Sequence, residues 1–258
     1  MASNWLVLMD NPASGAWNMA LDAALLRAAG RRGACTLRLY AWDPPTLSFG
    51  RNEPALRRYD RDRIAARGLA VVRRPTGGRA VWHHREVTYA VAAPASTFGS
   101  LRDTYREIHA MLAEALTSLG AAVVLAADRP ADGVGAGACF ASAAGGEVMA
   151  LRGGKVVGSA QVRGEGAFLQ HGSVLLAAEQ DVVAGVTAGD AAAPSATGLR
   201  ELVPAERATW AAVAAAIHRS AALRWGAPEA AGAAAPDVRA TAEALTPQYA
   251  DPAWTWRR

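Results

Sequence analysis

CFASAAGGEVMALRGGKVVGSAQVRGEGAFLQHGSVLL, running from Cys139 to Leu176, decides how the rest of the chain is read. It holds one of the two cysteines, one of the five histidines, His171, and the only lysine, Lys155, among 27 lysines and arginines. Short alternating runs between glycines read as strands, with Glu147 to Arg152 and Lys155 onward forming a hairpin around Gly153 and Gly154. An ammonium is a compact point charge with three rotatable donors, suited to one carbonyl or one thiolate. A guanidinium is a flat fork suited to carboxylates and phosphates. A lone lysine in so arginine-rich a chain therefore points to a position with a specific chemical demand. The plain alternative is a single exposed lysine left by chance.

With 258 residues, 52% of them hydrophobic, the chain can bury a large core and reads as one domain over 1–258. No apolar run reaches the length of a membrane span. MASNWLVLMDNP at the N-terminus lacks the basic start and long apolar run of a secretory signal, so a cytoplasmic protein with no membrane partner is expected. Cys35 and Cys139 form no CxxC pair and read as free thiols, Cys35 as a small core residue. His83, His84, His109, His171 and His218 accompany no HExxH or paired cysteines, so no metal is expected. The net charge of +4 favours acidic partners. The arginines are dispersed without interleaved aromatics, which argues against nucleic acid.

Ser14 is a candidate N-cap for a helix through about Gly30, with Met19, Leu21, Leu25, Leu26 and Ala29 as its apolar stripe and Gly30 to Gly33 ending it. TLRLYAW from Thr36 and TLSFG from Thr46 are strands joined through Asp43, Pro44 and Pro45. Tyr59 to Ala66 reads as a short helix closed by Gly68, and LAVVRR from Leu69 as a buried strand. Ser100 with Asp103 forms a capping box ahead of Leu101, Tyr105, Ile108, Leu112, Leu116 and Leu119, with Gly120 as the stop. A strand from Ala121 and a glycine-rich loop from Asp132 lead to Cys139. Beyond Leu176 the pattern predicts a helix near Glu206 to Trp225, a surface linker over 226–236, and a tail whose two tryptophans dock on the body.

RRPTGGRAVWHHREVTYAV, GGKVVGSAQ and LQHGSVLL, in that order from about Asn18 to Leu176, resemble the biotin/lipoate A/B protein ligase family. Within it, ACF followed by GGKVVGSAQ and LQHGS is most similar to the cysteine-dependent octanoyltransferases of the LipM type. The resemblance implies an α/β (α+β) fold with a mixed, curved central β-sheet flanked by helices. It also implies an acyltransferase that moves an octanoyl group from octanoyl-acyl carrier protein to a lysine of a lipoyl carrier domain, such as the glycine cleavage H protein. Thioester exchange and aminolysis need no ATP, so no cofactor is expected.

In that chemistry Cys139 is the nucleophile. Lys155 is the cation that lowers the thiol pKa from its ordinary ~8.5, and by the resemblance it also donates to the acyl carbonyl. Arg74 could bind phosphate or carbonyl oxygens, while Thr76, Gly77 and Gly78 belong to a loop over which a ligand could lie. That loop also reads simply as a tight turn. His83 and His171 match histidines of the family, with Gly172 completing the His-Gly pair, and either reads equally as a satisfied core histidine. His84 departs from the family, which often has an acid there. Gly158, Ser159 and Ala160 leave space for an acyl chain. ASAAGGE after Cys-Phe replaces the proline and aromatic common in LipM-type proteins, which implies a more mobile loop or altered acyl selectivity. Two other readings stay open: an ATP-dependent lipoate-protein ligase, with Mg²⁺ and a phosphate site around Arg74 to Gly78, and a non-catalytic acyl- or carrier-binding module.

Overall fold

A computed structural model describes residues 5–127, 146–189, 195–226, 230–231 and 233–258. In chain order the elements are β1 (Trp5–Met9), α1 (Gly15–Arg32), β2 (Cys35–Tyr40), β3 (Thr46–Phe49), α2 (Ala55–Arg58), α3 (Arg61–Ala66), β4 (Ala70–Arg73), β5 (Val81–His83) and β6 (Glu86–Pro94). They continue with α4 (Leu101–Ser118), β7 (Val123–Leu125), β8 (Val148–Ala150), β9 (Val157–Gly164), β10 (Ala167–Leu175), α5 (Asp181–Gly185), α6 (Trp210–Trp225), β11 (Ala230–Ala231), α7 (Pro236–Ala250) and α8 (Pro252–Thr255). The glycine-rich loop read from Asp132 lies outside the described residues.

The main sheet has six strands in the order β11-β1-β2-β6-β10-β9; β1 runs parallel to both its neighbours and the remaining pairs are antiparallel. Successive side chains of a strand point to opposite faces, and β6 uses both. Val87, Tyr89, Val91 and Ala93 pack against α4 and α6 through Ile108, Leu112, Val213 and Ile217. Ala90 and Ala92 pack the other way, onto α1 and α7 through Met19, Leu25, Val238 and Leu245. The result is a mixed sheet with helices on both faces. A smaller sheet, β4-β3-β5, sits over a third core of Phe49, Tyr59, Ile64 and Val186.

The capping box of Ser100 and Asp103 forms, and Ser14 caps α1 by accepting from the Trp17 amide. The hairpin forms too, with the amide of Val156 donating to the Val148 carbonyl and Gly153 and Gly154 at positive φ. Both tail tryptophans dock: Trp254 Nε1 donates to the Arg73 carbonyl, and Trp256 packs on Phe49.

Two sequence expectations are corrected. α6 starts at Trp210, not Glu206, because the Thr209 side chain caps it by accepting from the Ala212 amide. The stretch 226–236 is not a plain linker: Ala230 and Ala231 pair with β1, and Pro236 opens α7. The stop expected over Gly30 to Gly33 forms, with α1 ending at Arg32, Gly33 as its left-handed cap and Gly30 inside the last turn. A Cβ at Gly30 would lie only 2.1 Å from the Glu165 carbonyl oxygen in the β9–β10 turn.

That contact reverses a usual sign. Glycine to alanine inside a helix ordinarily stabilises by about 1 kcal/mol. Here Gly30→Ala must displace the β9–β10 turn, so thermal unfolding should show a net loss of about 1–3 kcal/mol. A raised melting temperature would contradict the close approach.

Candidate functional site

A narrow cleft opens where the main sheet meets the smaller one. One wall is made of small side chains. Gly158, Ser159 and Ala160 on β9 line it, facing His171, Gly172 and Ser173 on β10 in paired register. A Cβ at Gly172 would come within 2.3 Å of the Gly158 carbonyl oxygen and 2.6 Å of Ser159 Oγ, so only glycine lets this wall close up. Trp42, Ser48, Arg74 and His83 complete the cleft from the side of the smaller sheet.

Three buried histidines are oriented alike. Each Nδ1 faces an oxygen that accepts, so Nδ1 carries the proton and Nε2 accepts from a hydroxyl. His171 donates to Asp22 Oδ2 at 2.8 Å and accepts from Thr76 Oγ1 at 2.6 Å. His83 donates to Glu86 Oε1 at 2.8 Å and accepts from Ser48 Oγ at 2.7 Å. His109 donates to the Gly146 carbonyl at 2.7 Å and accepts from Ser159 Oγ at 2.8 Å.

Asp22 is fixed from several sides. Arg38 Nη1 donates to its Oδ1 at 2.8 Å and the Tyr40 hydroxyl to its Oδ2 at 2.8 Å. Burial raises the Asp22 pKa, but the bond from His171 and the Arg38 charge outweigh it and hold the carboxyl below its usual range. For His171 burial dominates, and despite Asp22 its pKa is lowered, which keeps the imidazole neutral.

Ser159 joins the cleft to a second polar cluster. Because it donates to His109, its oxygen accepts from the Tyr89 hydroxyl at 2.6 Å, which in turn accepts from Gln170 Nε2 at 2.9 Å. Burial, with a smaller contribution from the Lys155 charge, pushes the His109 pKa down to about 3. Lys155 does not line the cleft. It is buried in the second cluster, with Nζ donating to Glu147 Oε1 at 2.5 Å, and the Tyr105 hydroxyl approaches the same oxygen at 3.3 Å. Cys139 lies outside the described residues.

Of the residues singled out in the sequence, Arg74, His83, Gly158, Ser159, Ala160, His171 and Gly172 meet in the cleft, with Thr76 behind His171. Arg74 does not present its guanidinium to a ligand. Its five N–H groups donate to the Gly77 carbonyl twice, the Arg79 carbonyl, and the Ser48 carbonyl and hydroxyl, so it holds the 76–79 loop to β3. Gly78, at positive φ, leaves room for Arg74 Nη2, which would lie 2.8 Å from a Cβ there. Around Gly77 the space is open. His84 pairs with Glu179 at 2.7 Å, away from the cleft. Cys35 is buried in the main core, as its place in an apolar strand implies.

Sequence reasoning missed Asp22, Ser48, Glu86, His109 and Glu147. Two carried a signal: Asp22 stands three residues from both Met19 and Leu25 on the apolar stripe of α1, and His109 sits beside Ile108 and four residues after Tyr105 on that of α4. A polar group on a buried stripe needs a partner. Ser48, Glu86 and Glu147 carried none. Among the described residues no group of three or more His, Cys, Asp or Glu could hold a metal, and no helix is long and apolar enough to cross a membrane.

The sequence matches the lipoyl protein ligase A/B catalytic domain over residues 14–216, and the chain belongs to that family. Among its relatives it is 44% identical over 183 residues to the octanoyltransferase LipM of Kyrpidia tusciae, covering 67% of this chain and 66% of that protein. It is 42% identical over 183 residues to the octanoyltransferase LipM of Symbiobacterium thermophilum, covering 68% of this chain and 66% of that protein. The chain therefore spans just under two thirds of the length of these two relatives. A solved lipoate-protein ligase A bound with ATP superposes with a TM-score of 0.81 at 19% identity, covering 99% of each chain, so the fold is shared.

A neutral, buried His109 makes stability depend on pH. Its folded pKa of about 3 lies below the unfolded value of 6.5, so the unfolded chain binds the extra proton between those limits. Its contribution is complete above pH 6.5 and is lost as pH falls toward 3, at about 1.4 kcal/mol per pH unit. Denaturant unfolding at pH 7, 6, 5 and 4 should show a slope shallower by close to one proton in His109→Gln than in wild type. Parallel slopes would contradict the assignment.

Proposed function

We propose that this chain transfers an octanoyl group from octanoyl-acyl carrier protein, through a thioester on Cys139, to a lysine of a lipoyl carrier domain such as the glycine cleavage H protein, without consuming nucleotide. The observation that carries this reading over ATP-dependent ligation is the engagement of Arg74. At the loop where a ligase would need cations for phosphate, this guanidinium gives all its donors to the protein's own oxygens. The cleft offers instead a smooth glycine and alanine wall suited to an alkyl chain, and paired hydroxyls and imidazoles. The names of the two relatives support the same reaction.

A thiol-to-thioester exchange is close to isoenergetic, and aminolysis of the thioester runs downhill, so the carrier thioester itself drives transfer. By the family resemblance Lys155 is the donor that steadies the developing oxyanion; its Nζ, which pairs with Glu147 outside the cleft lining, turns to the acyl carbonyl to do so.

Incubation with octanoyl-acyl carrier protein in the absence of nucleotide should add one octanoyl group to Cys139, seen as a mass shift that Cys139→Ala abolishes. Lys155→Met should slow transfer to the lipoyl domain by about 10²–10³-fold. Lipoate attachment that requires ATP, with no adduct on the wild-type protein, would favour the ligase. Carrier binding with neither activity would favour a docking module.

A further inference from the structure

Ser48, His83 and Glu86 form a hydroxyl–imidazole–carboxylate line whose Ser48 and His83 face the cleft. Four observations set it apart. Arg74 Nη1 donates to Ser48 Oγ at 3.0 Å, so the Ser48 proton is directed to His83 Nε2 rather than to a backbone oxygen. Glu86 is buried, and among the described residues no lysine or arginine pairs with it; its ionic partner is His83. Glu86 Oε1 gathers His83 at 2.8 Å, Thr88 Oγ1 at 2.5 Å and Ser173 Oγ at 2.9 Å, while Oε2 has no partner among the described residues. Finally, the His83 ring stacks on Trp42 with centroids 4.0 Å apart and planes 14° from parallel. The carboxylate behind the ring holds Nδ1–H and the indole beneath it holds the ring plane, so Nε2 stays aimed at Ser48 Oγ. The other two histidines differ: Asp22 already has Arg38 as its counter-ion, and His109 leans on a neutral carbonyl.

We propose that Ser48 and His83 relay a proton from the acceptor lysine during amide formation, with Glu86 as the positioning residue that holds and stabilises the imidazolium. The inference rests on the octanoyl-transfer reading and assigns its second half-reaction. The acceptor lysine arrives as an ammonium: one N–H proton passes to Ser48 Oγ while the Ser48 proton passes to His83 Nε2, leaving a neutral amine, and the imidazolium then releases that proton to water. The amine attacks the thioester carbon, the C–N bond forms and the C–S bond breaks, and the second amine proton neutralises the departing thiolate. The products are an amide, a thiol and one proton in solvent, with the relay restored. The need is specific to an amine that is ordinarily protonated, since lysine has a pKa of ~10.4 and its conjugate acid must shed a proton to react. An amine that is already neutral at the assay pH, such as hydroxylamine, needs little of this help.

The test compares two acceptors on the full-length protein after complete octanoylation: a lipoyl domain of the glycine cleavage H protein, and hydroxylamine, corrected for its rate on the unfolded acyl-protein. In His83→Gln, transfer to the lipoyl lysine should fall by about 10²–10⁴-fold and transfer to hydroxylamine by less than about tenfold. Ser48→Ala, a small change that keeps the packing of Trp42 on His83, should show the same selective loss and stands in if His83→Gln does not fold. Equal losses on both acceptors, or undiminished transfer to lysine in either folded variant, would overturn the relay. Absence of any adduct on the wild-type protein would overturn octanoyl transfer itself, and the relay with it, before a variant is made.

Discussion

The buried guanidinium of Arg38 is the constraint that the rest of the arrangement answers to. A cation taken out of water has to be paired and fully hydrogen-bonded, and removing one partner of such a pair costs about 3–5 kcal/mol. Arg38 on β2 meets Asp10 beyond β1 at 2.6 Å, Asp22 on α1 at 2.8 Å, and the Asn18 side chain at 2.8 Å, and its guanidinium lies over the Tyr40 ring at 3.9 Å. One charge thus locks a helix and two strand ends together. The second oxygen of Asp22 then sets the tautomer of His171 on β10, and His171 in turn fixes Thr76 in the loop over the cleft. The geometry of the site is inherited from a core ion pair.

Around that centre the polar groups of the cleft divide by environment. Where the counter-charge is already balanced, as at Asp22, the histidine stays neutral and positions a loop. Where burial dominates, as at His109, the imidazole is held neutral and ties Ser159 to the carbonyl of Gly146, next to Glu147 and Lys155. At Glu86, with which no lysine or arginine pairs among the described residues, the ionic partner is His83 itself.

Local rules made much of this legible in the amino-acid order. The capping box at Ser100, the stripe of α4, the alternation of β6 and the paired glycines of the hairpin each depend on neighbours a few positions away, and each formed. α7 escaped notice because its alanine-rich sequence, with Pro247 inside it, has no strong periodic face; it is held by packing on α1 and the sheet. Nothing in the sequence shows that the β9–β10 turn lies against Gly30. The acids behind the histidines were illegible for the same reason: Asp22 and His171 lie 149 positions apart, and only the sheet brings them together. Arg74 looked like a ligand-binding residue because its type suits anions, and only the folded loop showed how many backbone oxygens surround it.

The most direct test of the account is a crystal structure of the octanoylated protein. The acyl chain should lie along Gly158, Ser159, Ala160 and Gly172, with the thioester sulfur on Cys139 and the carbonyl oxygen within hydrogen-bonding distance of Lys155 Nζ. An octanoyl group on another residue, or a chain seated outside that wall with its carbonyl remote from Lys155, would contradict it.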